Sequence, residues 1–318
     1  MKYYNPFIKK IRRNIIDLLL WKTGYYDDLK EYPRAPADFS YPLPDKEFDE
    51  NQPRAVWINH STYLIEINGV SILTDPIWSK RCSPLSFYGP KRRHRAPLEI
   101  GDLPEIDIVL ISHNHYDHLD KGTVLELHRR FNDILWLVPK GVKKWFLKLG
   151  ITHVQELGWW EDIDVPAFNL RATAVPTQHF SGRHPFDVNR TLWVGWVVEF
   201  FTDRKHHKRL YFVGDTGYNP FDFKKIGERF GHMDLSLIPI GTYVPRKFMS
   251  PVHIEPKNAV RIHKEVGSKL SLGMHWKTFN LSDEPFHQPP WDLFHCLEHD
   301  GIDPLTFLAV EPGYEVNW

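Results

Sequence analysis

The sequence predicts an α/β protein. From about Arg54 onward, short apolar and β-branched runs alternate with helical stretches, separated by tight turns. The densest cluster of histidines follows directly on one apolar strand, which places its chemistry at a strand end. No repeat of solenoid length interrupts the pattern.

The first 24 residues stand apart. Phe7, Ile8, Ile11, Ile15, Leu18 and Leu19 recur at helical spacing beside Lys9, Lys10, Arg12, Arg13 and Lys22, which predicts an amphipathic helix ended by Gly24. Such a helix either lies on a membrane surface or packs on the enzyme body or a second subunit. Pro33, Pro36, Pro42, Pro44 and Pro53 then hold the chain extended. Residues 1–53 are therefore expected to form an extension, and residues 54–318 one catalytic domain. Within it, residues 56–59, 62–67 and 70–74 read as strands, with Asn68-Gly69 as a hairpin turn. Residues 106–112 read as a buried strand, 121–131 as a helix, 135–139 as a strand and 142–149 as a helix. Further strands are expected at 170–176, 192–200, 210–214, 235–239 and 270–275, with a helix at 256–266.

Composition excludes several classes. The 40 basic and 40 acidic residues cancel, so there is no global basic field for nucleic acid. Cys82 and Cys296 supply neither a disulfide framework nor a cysteine zinc site, which points to a reducing, cytoplasmic setting. The most apolar run, Ile15 to Trp21, is too short for a transmembrane helix and makes a poor signal peptide.

The chemistry is concentrated in Ser112-His113-Asn114-His115-Tyr116-Asp117-His118-Leu119-Asp120, directly after Asp107-Ile108-Val109-Leu110-Ile111. Three imidazoles and a carboxylate within six residues can aim several ligands at one spot. Imidazole with carboxylate suits Zn²⁺ and its divalent neighbours. His115 and His118 lack the spacing of a helical zinc pair, so a loop-borne site is expected.

This H-x-H-x-D-H motif after an apolar strand resembles the metallo-β-lactamase superfamily. The resemblance extends to a histidine in Val175-Pro176-Thr177-Gln178-His179, an aspartate in Val213-Gly214-Asp215-Thr216-Gly217, and a histidine in Leu272-Gly273-Met274-His275. It implies an αββα sandwich, two mixed β-sheets flanked by helices, with a dinuclear metal site at the sheet edge. Carried over, His113, His115 and His179 hold one metal, and Asp117, His118 and His275 the second. Asp215 bridges the two, giving two Zn²⁺ per chain.

Gly214-Asp215-Thr216-Gly217-Tyr218, Thr74-Asp75-Pro76-Ile77, Gly89-Pro90-Lys91-Arg92 and Trp159-Trp160-Glu161 are similar to the branch containing N-acylphosphatidylethanolamine-hydrolysing phospholipase D. Asn59 and the ending Glu311-Pro312-Gly313-Tyr314 depart from that branch near the mouth of the site. The resemblance implies a phosphodiesterase in which a metal-bridging hydroxide attacks phosphorus and phosphatidic acid and an N-acylethanolamine leave. The catalytic set would be Asp117, Asp215 and His253, the last in Pro251-Val252-His253-Ile254. The alternative is another hydrolase on the same core, a lactonase of the sugar-phosphate type or a different phosphodiesterase. His60 is read as a support for the ligands or as purely structural, and His206, His207, His295 and His299 as surface residues. Lys80, Arg81, Lys91, Arg92, Arg93 and Arg95 form a local positive patch suited to anionic lipid headgroups, or a solvated loop. The expected partners are a phospholipid substrate and a membrane surface, with a homodimer implied by the resemblance. Nucleic acid is not expected, since the RNA-cutting members carry an inserted domain for which no segment here is long enough.

Overall fold

A computed structural model describes residues 2–8, 15–25, 33–45, 49–131, 133–201 and 207–318. Its strands are β1 (Arg54–Asn59), β2 (Thr62–Ile67), β3 (Val70–Thr74), β4 (Ile108–Leu110), β5 (Leu135–Pro139), β6 (Val154–Leu157) and β7 (Asp162–Val165). They continue as β8 (Leu170–Val175), β9 (Gly195–Phe201), β10 (His207–Phe212), β11 (Met233–Pro239), β12 (Ser268–Met274), β13 (Phe307–Leu308) and β14 (Glu315–Asn317). Two seven-stranded sheets result, ordered β14-β1-β2-β3-β4-β5-β6 and β13-β12-β11-β10-β9-β8-β7. Each is mixed, with an antiparallel half continued by parallel strands, β3 to β6 in one and β10 to β13 in the other.

Parallel neighbours need crossovers, and the sequence supplies helices for them. These are α2 (Lys121–Arg130) and α3 (Lys143–Leu147) on the first sheet, and α4 (Asp222–Phe230), α6 (Pro256–Glu265) and α7 (Gln288–His299) on the second. A short α5 (Arg246–Met249) precedes the loop of His253. Strands β3, β4 and β5 at the centre of the first sheet are buried on both faces because both are covered. Trp57, Ile108 and Leu110 join the core between the sheets, while Val56, Ile58, Val109 and Ile111 pack with Leu127 and Phe146 under the helices. Buried polar groups tie the layers: Tyr63 Oη donates to Gly273 O (2.8 Å) and Trp196 Nε1 to Ile111 O (2.9 Å). The expected αββα sandwich is what the chain forms.

Several expectations need correction. The buried strand predicted over 106–112 is regular only over Ile108–Leu110, because Ser112 leaves the ladder to bond Asp75. The helix expected up to Gly24 is present as α1 (Ile15–Lys22), but Phe7 and Ile8 are not helical, and residues 9–14 lie outside the described residues. Strands β6, β7, β13 and β14 and helices α4 and α7 were not anticipated. The Pro-rich connector follows α7: Ala35 N donates to Gln288 Oε1 (3.0 Å) and Tyr41 Oη to Phe307 O (2.6 Å).

One buried histidine away from the strand-end cluster has a testable consequence. His263 on α6 bonds Ser271 Oγ (2.8 Å) and stacks near Phe307, and burial pulls its pKa down to about 4. The unfolded chain therefore binds a proton that the folded chain refuses between about pH 6.5 and 4. That stability is fully present above pH 6.5 and is lost as pH falls through the window, at roughly 1.4 kcal/mol per pH unit. Urea denaturation should show His263→Gln losing part of this slope; an unchanged slope would assign the acid sensitivity elsewhere.

Candidate metal centre

The residues singled out in the sequence meet on one rim of the sandwich, where strands end. His113, His115, Asp117 and His118 follow β4, His179 follows β8, Asp215 follows β10, and His275 follows β12. The loop after β4 folds tightly on itself, with Leu119 N donating to His115 O (2.8 Å) and Asp120 capping α2 through Thr123 N. Arg183 clamps it from outside: Nη1 donates to Leu119 O (2.7 Å) and Asn114 O (3.0 Å), and the guanidinium lies 3.8 Å from the centre of the Tyr116 ring.

Two clusters of donor atoms form. His115 Nδ1 lies 2.8 Å from His113 Nε2 and 3.2 Å from His179 Nε2. Opposite, Asp117 Oδ2 lies 3.4 Å from His118 Nε2 and 3.6 Å from His275 Nε2. Asp215 stands between them. Its Oδ2 is 3.1 Å from His275, 3.3 Å from His118, 3.7 Å from His179 and 4.0 Å from His113. His118 Nε2, His275 Nε2 and Asp215 Oδ1 are buried with no hydrogen-bond partner. Buried polar atoms are rarely left so, and converging orphans of this kind fit a cation.

The charges agree with that reading. Burial holds His113 and His179 well below the usual histidine range and His115 at about 4, so their lone pairs are free to ligate. Burial acts in the same sense on His118, but Asp215, Asp117 and Asp75 outweigh it and hold this imidazole well above its usual range. His275 is raised to about 9 against burial, chiefly by Asp215 and Asp117. Burial would raise Asp117 and Asp215, yet the imidazole of His118 holds both well below the carboxylate range. Cations bound here would take the place of those protons.

Groups behind the clustered side chains fix their direction. Asp75 accepts from His118 Nδ1 (2.6 Å), Ser112 N (2.7 Å) and Ser112 Oγ, leaving His118 Nε2 to face the site. His179 Nδ1 donates to Val252 O (2.9 Å), and His275 Nδ1 meets Thr242 Oγ1 (3.1 Å). His60 Nε2 lies 3.1 Å from Asp117 Oδ2, in the group formed by Asp117, His118 and His275. His60, Asp75, Thr242 and His275 all have positive φ (41°, 32°, 68° and 63°), a strained state concentrated at this rim. Gly214, just before Asp215, also has positive φ (67°), and a Cβ there would lie 2.8 Å from Ser112 Cβ. His253 Nδ1 is 3.9 Å from Asp215 Oδ2, with its side chain 13 % exposed.

Asp75, Thr242 and Arg183 were missed as site residues by sequence reasoning. Asp75 carried a usable signal, a carboxylate directly after the apolar strand β3; Thr242 and Arg183 carried none. In the basic patch, Arg92 is spent on structure, donating to Ile77 O (2.8 Å) and lying against Phe279. Lys80, Lys91, Arg93 and Arg95 are exposed. His295 and His299 are exposed, His207 is half-buried, and His206 lies outside the described residues.

Comparison with known proteins gives consistent matches. Residues 71–276 match the family described as Beta-lactamase superfamily domain. The chain is 39% identical over 268 residues to N-acyl-phosphatidylethanolamine-hydrolyzing phospholipase D 1 of Caenorhabditis elegans, covering 81% of this chain and 74% of that one. It is 39% identical over 251 residues to the mitochondrial N-acyl-phosphatidylethanolamine-hydrolyzing phospholipase D of Saccharomyces cerevisiae, covering 77% of this chain and 52% of that one. The solved structure of Igni18, a metallo hydrolase from Ignicoccus hospitalis, superposes with a TM-score of 0.62 at 21% identity, covering 84% of this chain and 98% of that one. Among the described residues, no helix is long and apolar enough to cross a membrane.

Proposed function

The chain belongs to the metallo-β-lactamase superfamily and is a metal-dependent hydrolase; from that premise we propose that it cleaves a lipid phosphodiester. The reaction is phospholipase D-type hydrolysis of N-acylphosphatidylethanolamine to phosphatidic acid and an N-acylethanolamine. The observation that carries this reading is the 39% identity to the C. elegans enzyme over 81% of the chain. Exposed apolar side chains support it: Phe87 and Tyr88 in the loop of the exposed basic residues, Phe186 in the segment after His179, and Phe221 in the segment after Asp215. Exposed aromatics with basic neighbours suit a substrate whose acyl chains lie in a membrane surface.

The site would take two zinc ions: His113, His115 and His179 would hold one and Asp117, His118 and His275 the other, with Asp215 within reach of both. Bound there, they supply an acidified water and positive charge at the phosphoryl oxygens. The protein's own groups orient and exchange protons. Asp117, held by His60, and Asp215, set among five imidazoles, keep their negative charge. His253, open to solvent on one side, donates to a phosphoryl oxygen or to the departing alkoxide. In the balanced reaction a solvent oxygen bonds to phosphorus, the bond from phosphorus to the ethanolamide oxygen breaks, and that oxygen takes a proton.

Purified, metal-replete protein given vesicles containing this lipid should release N-acylethanolamine. In isotopically labelled water the solvent oxygen should appear in phosphatidic acid. Label in the ethanolamide would refute attack at phosphorus. No lipid turnover alongside efficient opening of a lactone would transfer the assignment to a lactonase.

A further inference from the structure

The first residues of the chain read from sequence as an appendage, but their described parts touch the loops that carry four residues of the site. Tyr3 N donates to Asn189 O (2.8 Å), and Asn189 in turn accepts from Ser181 N through its side chain and donates its own N–H to Ser181 O. Asn5 Nδ2 donates to the carbonyl of His179 (2.7 Å), across 174 positions of sequence. Phe7 stacks on Phe221, with ring centres 4.6 Å apart, on the segment that follows Asp215. From α1, Trp21 packs on Phe248 (4.8 Å), five positions before His253, and its Nε1 donates to Asp283, beyond His275.

We propose that Asn5 is a positioning residue of the metal centre, holding the backbone of His179 while Val252 holds its ring. The two bonds are complementary. Val252 O takes the Nδ1 proton, which leaves Nε2 as the free donor atom. It leaves the ring's origin free to move with its loop, and the loop's carbonyl is fixed by Asn5. Only the amide nitrogen can donate to a carbonyl, so the side-chain orientation follows from the bond itself. Its other atom, Oδ1, is buried with no hydrogen-bond partner. A side chain that leaves its own acceptor unsatisfied in order to bond one carbonyl is placed for that carbonyl. The aromatic contacts of Phe7 and Trp21 with separate loops of the site keep the segment in place.

The inference rests on the reading of His179 as a metal ligand, and the test separates the two. Zn²⁺ is titrated into metal-depleted full-length protein against a chromophoric chelator, and the melting temperature of the metal-free protein is recorded in parallel. His179→Ala must weaken Zn²⁺ binding for the ligand reading to stand. Asn5→Ala should then weaken it about tenfold, as loss of a supporting hydrogen bond does, with the metal-free melting temperature unchanged. Asn5→Asp, which keeps the size but loses the donor, should weaken it at least as much. Wild-type Zn²⁺ affinity in both Asn5 variants alongside a weakened His179→Ala would overturn the proposal. So would a fall in metal-free melting temperature large enough to account for the lost affinity.

Discussion

Asp215→Asn should weaken metal binding throughout the site and reduce hydrolysis by at least about a hundredfold, the upper end of what removing a mere supporting partner costs. Five imidazoles converge on this carboxylate, with nitrogens 3.1 to 4.0 Å from one oxygen, so no other residue substitutes for it. An amide of the same shape offers no negative charge, and its nitrogen presents protons where cations belong. Because the folded protein holds Asp215 ionised, the substitution removes charge at every working pH. Metal titration of the variant with matched turnover measurements checks this. Retention of tight binding at one half of the site would show that the carboxylate is not shared.

Asp75 should matter nearly as much, although it touches no substrate. It is fully buried and satisfies His118 Nδ1 and both donors of Ser112. Asp75→Ala strands those groups and should destabilise the fold by about 3–5 kcal/mol, the cost of breaking a buried charged pair. Asp75→Asn is the sharper experiment, since it preserves shape and the bond from Ser112 N. An amide nitrogen facing His118 Nδ1 forces the opposite tautomer, and Nε2 then carries the proton instead of a lone pair. Metal affinity should fall about 10–100-fold, with a smaller loss of thermal stability than for alanine. Equal affinity for wild type and Asp75→Asn would mean that the tautomer of His118 is not set by this contact.

That these seven side chains meet was legible in the sequence for a physical reason. Converging side chains must hang on strand ends, so each ligand stands directly after an apolar run that is itself recognisable. Strands β2, β3 and β5 were legible to the residue because they are buried on both faces and bounded by turns. Strands β6 (VQEL) and β7 (DIDV) were not, since they lie at sheet edges and alternate too weakly to show an apolar face. Helix α7 opens with Gln288-Pro289-Pro290, which reads as a break but is tolerated in a first turn. Helix α4 contains Gly227, a helix-weakening residue required by packing: a Cβ there would meet Glu265 O at 2.2 Å. The bonds that orient the clustered side chains were least legible. Asn5 to His179 and Asp75 to His118 join residues distant in sequence, and local pattern carries no trace of them.

A hydrolase of the kind proposed depends on two cations that both reach Asp215. Its most direct test is activity followed as zinc is returned to metal-depleted protein. Without metal no turnover of the phosphodiester is expected, and with added zinc activity should rise and level off only at about two equivalents per chain. Full activity at one equivalent, or turnover by metal-free protein, would contradict it.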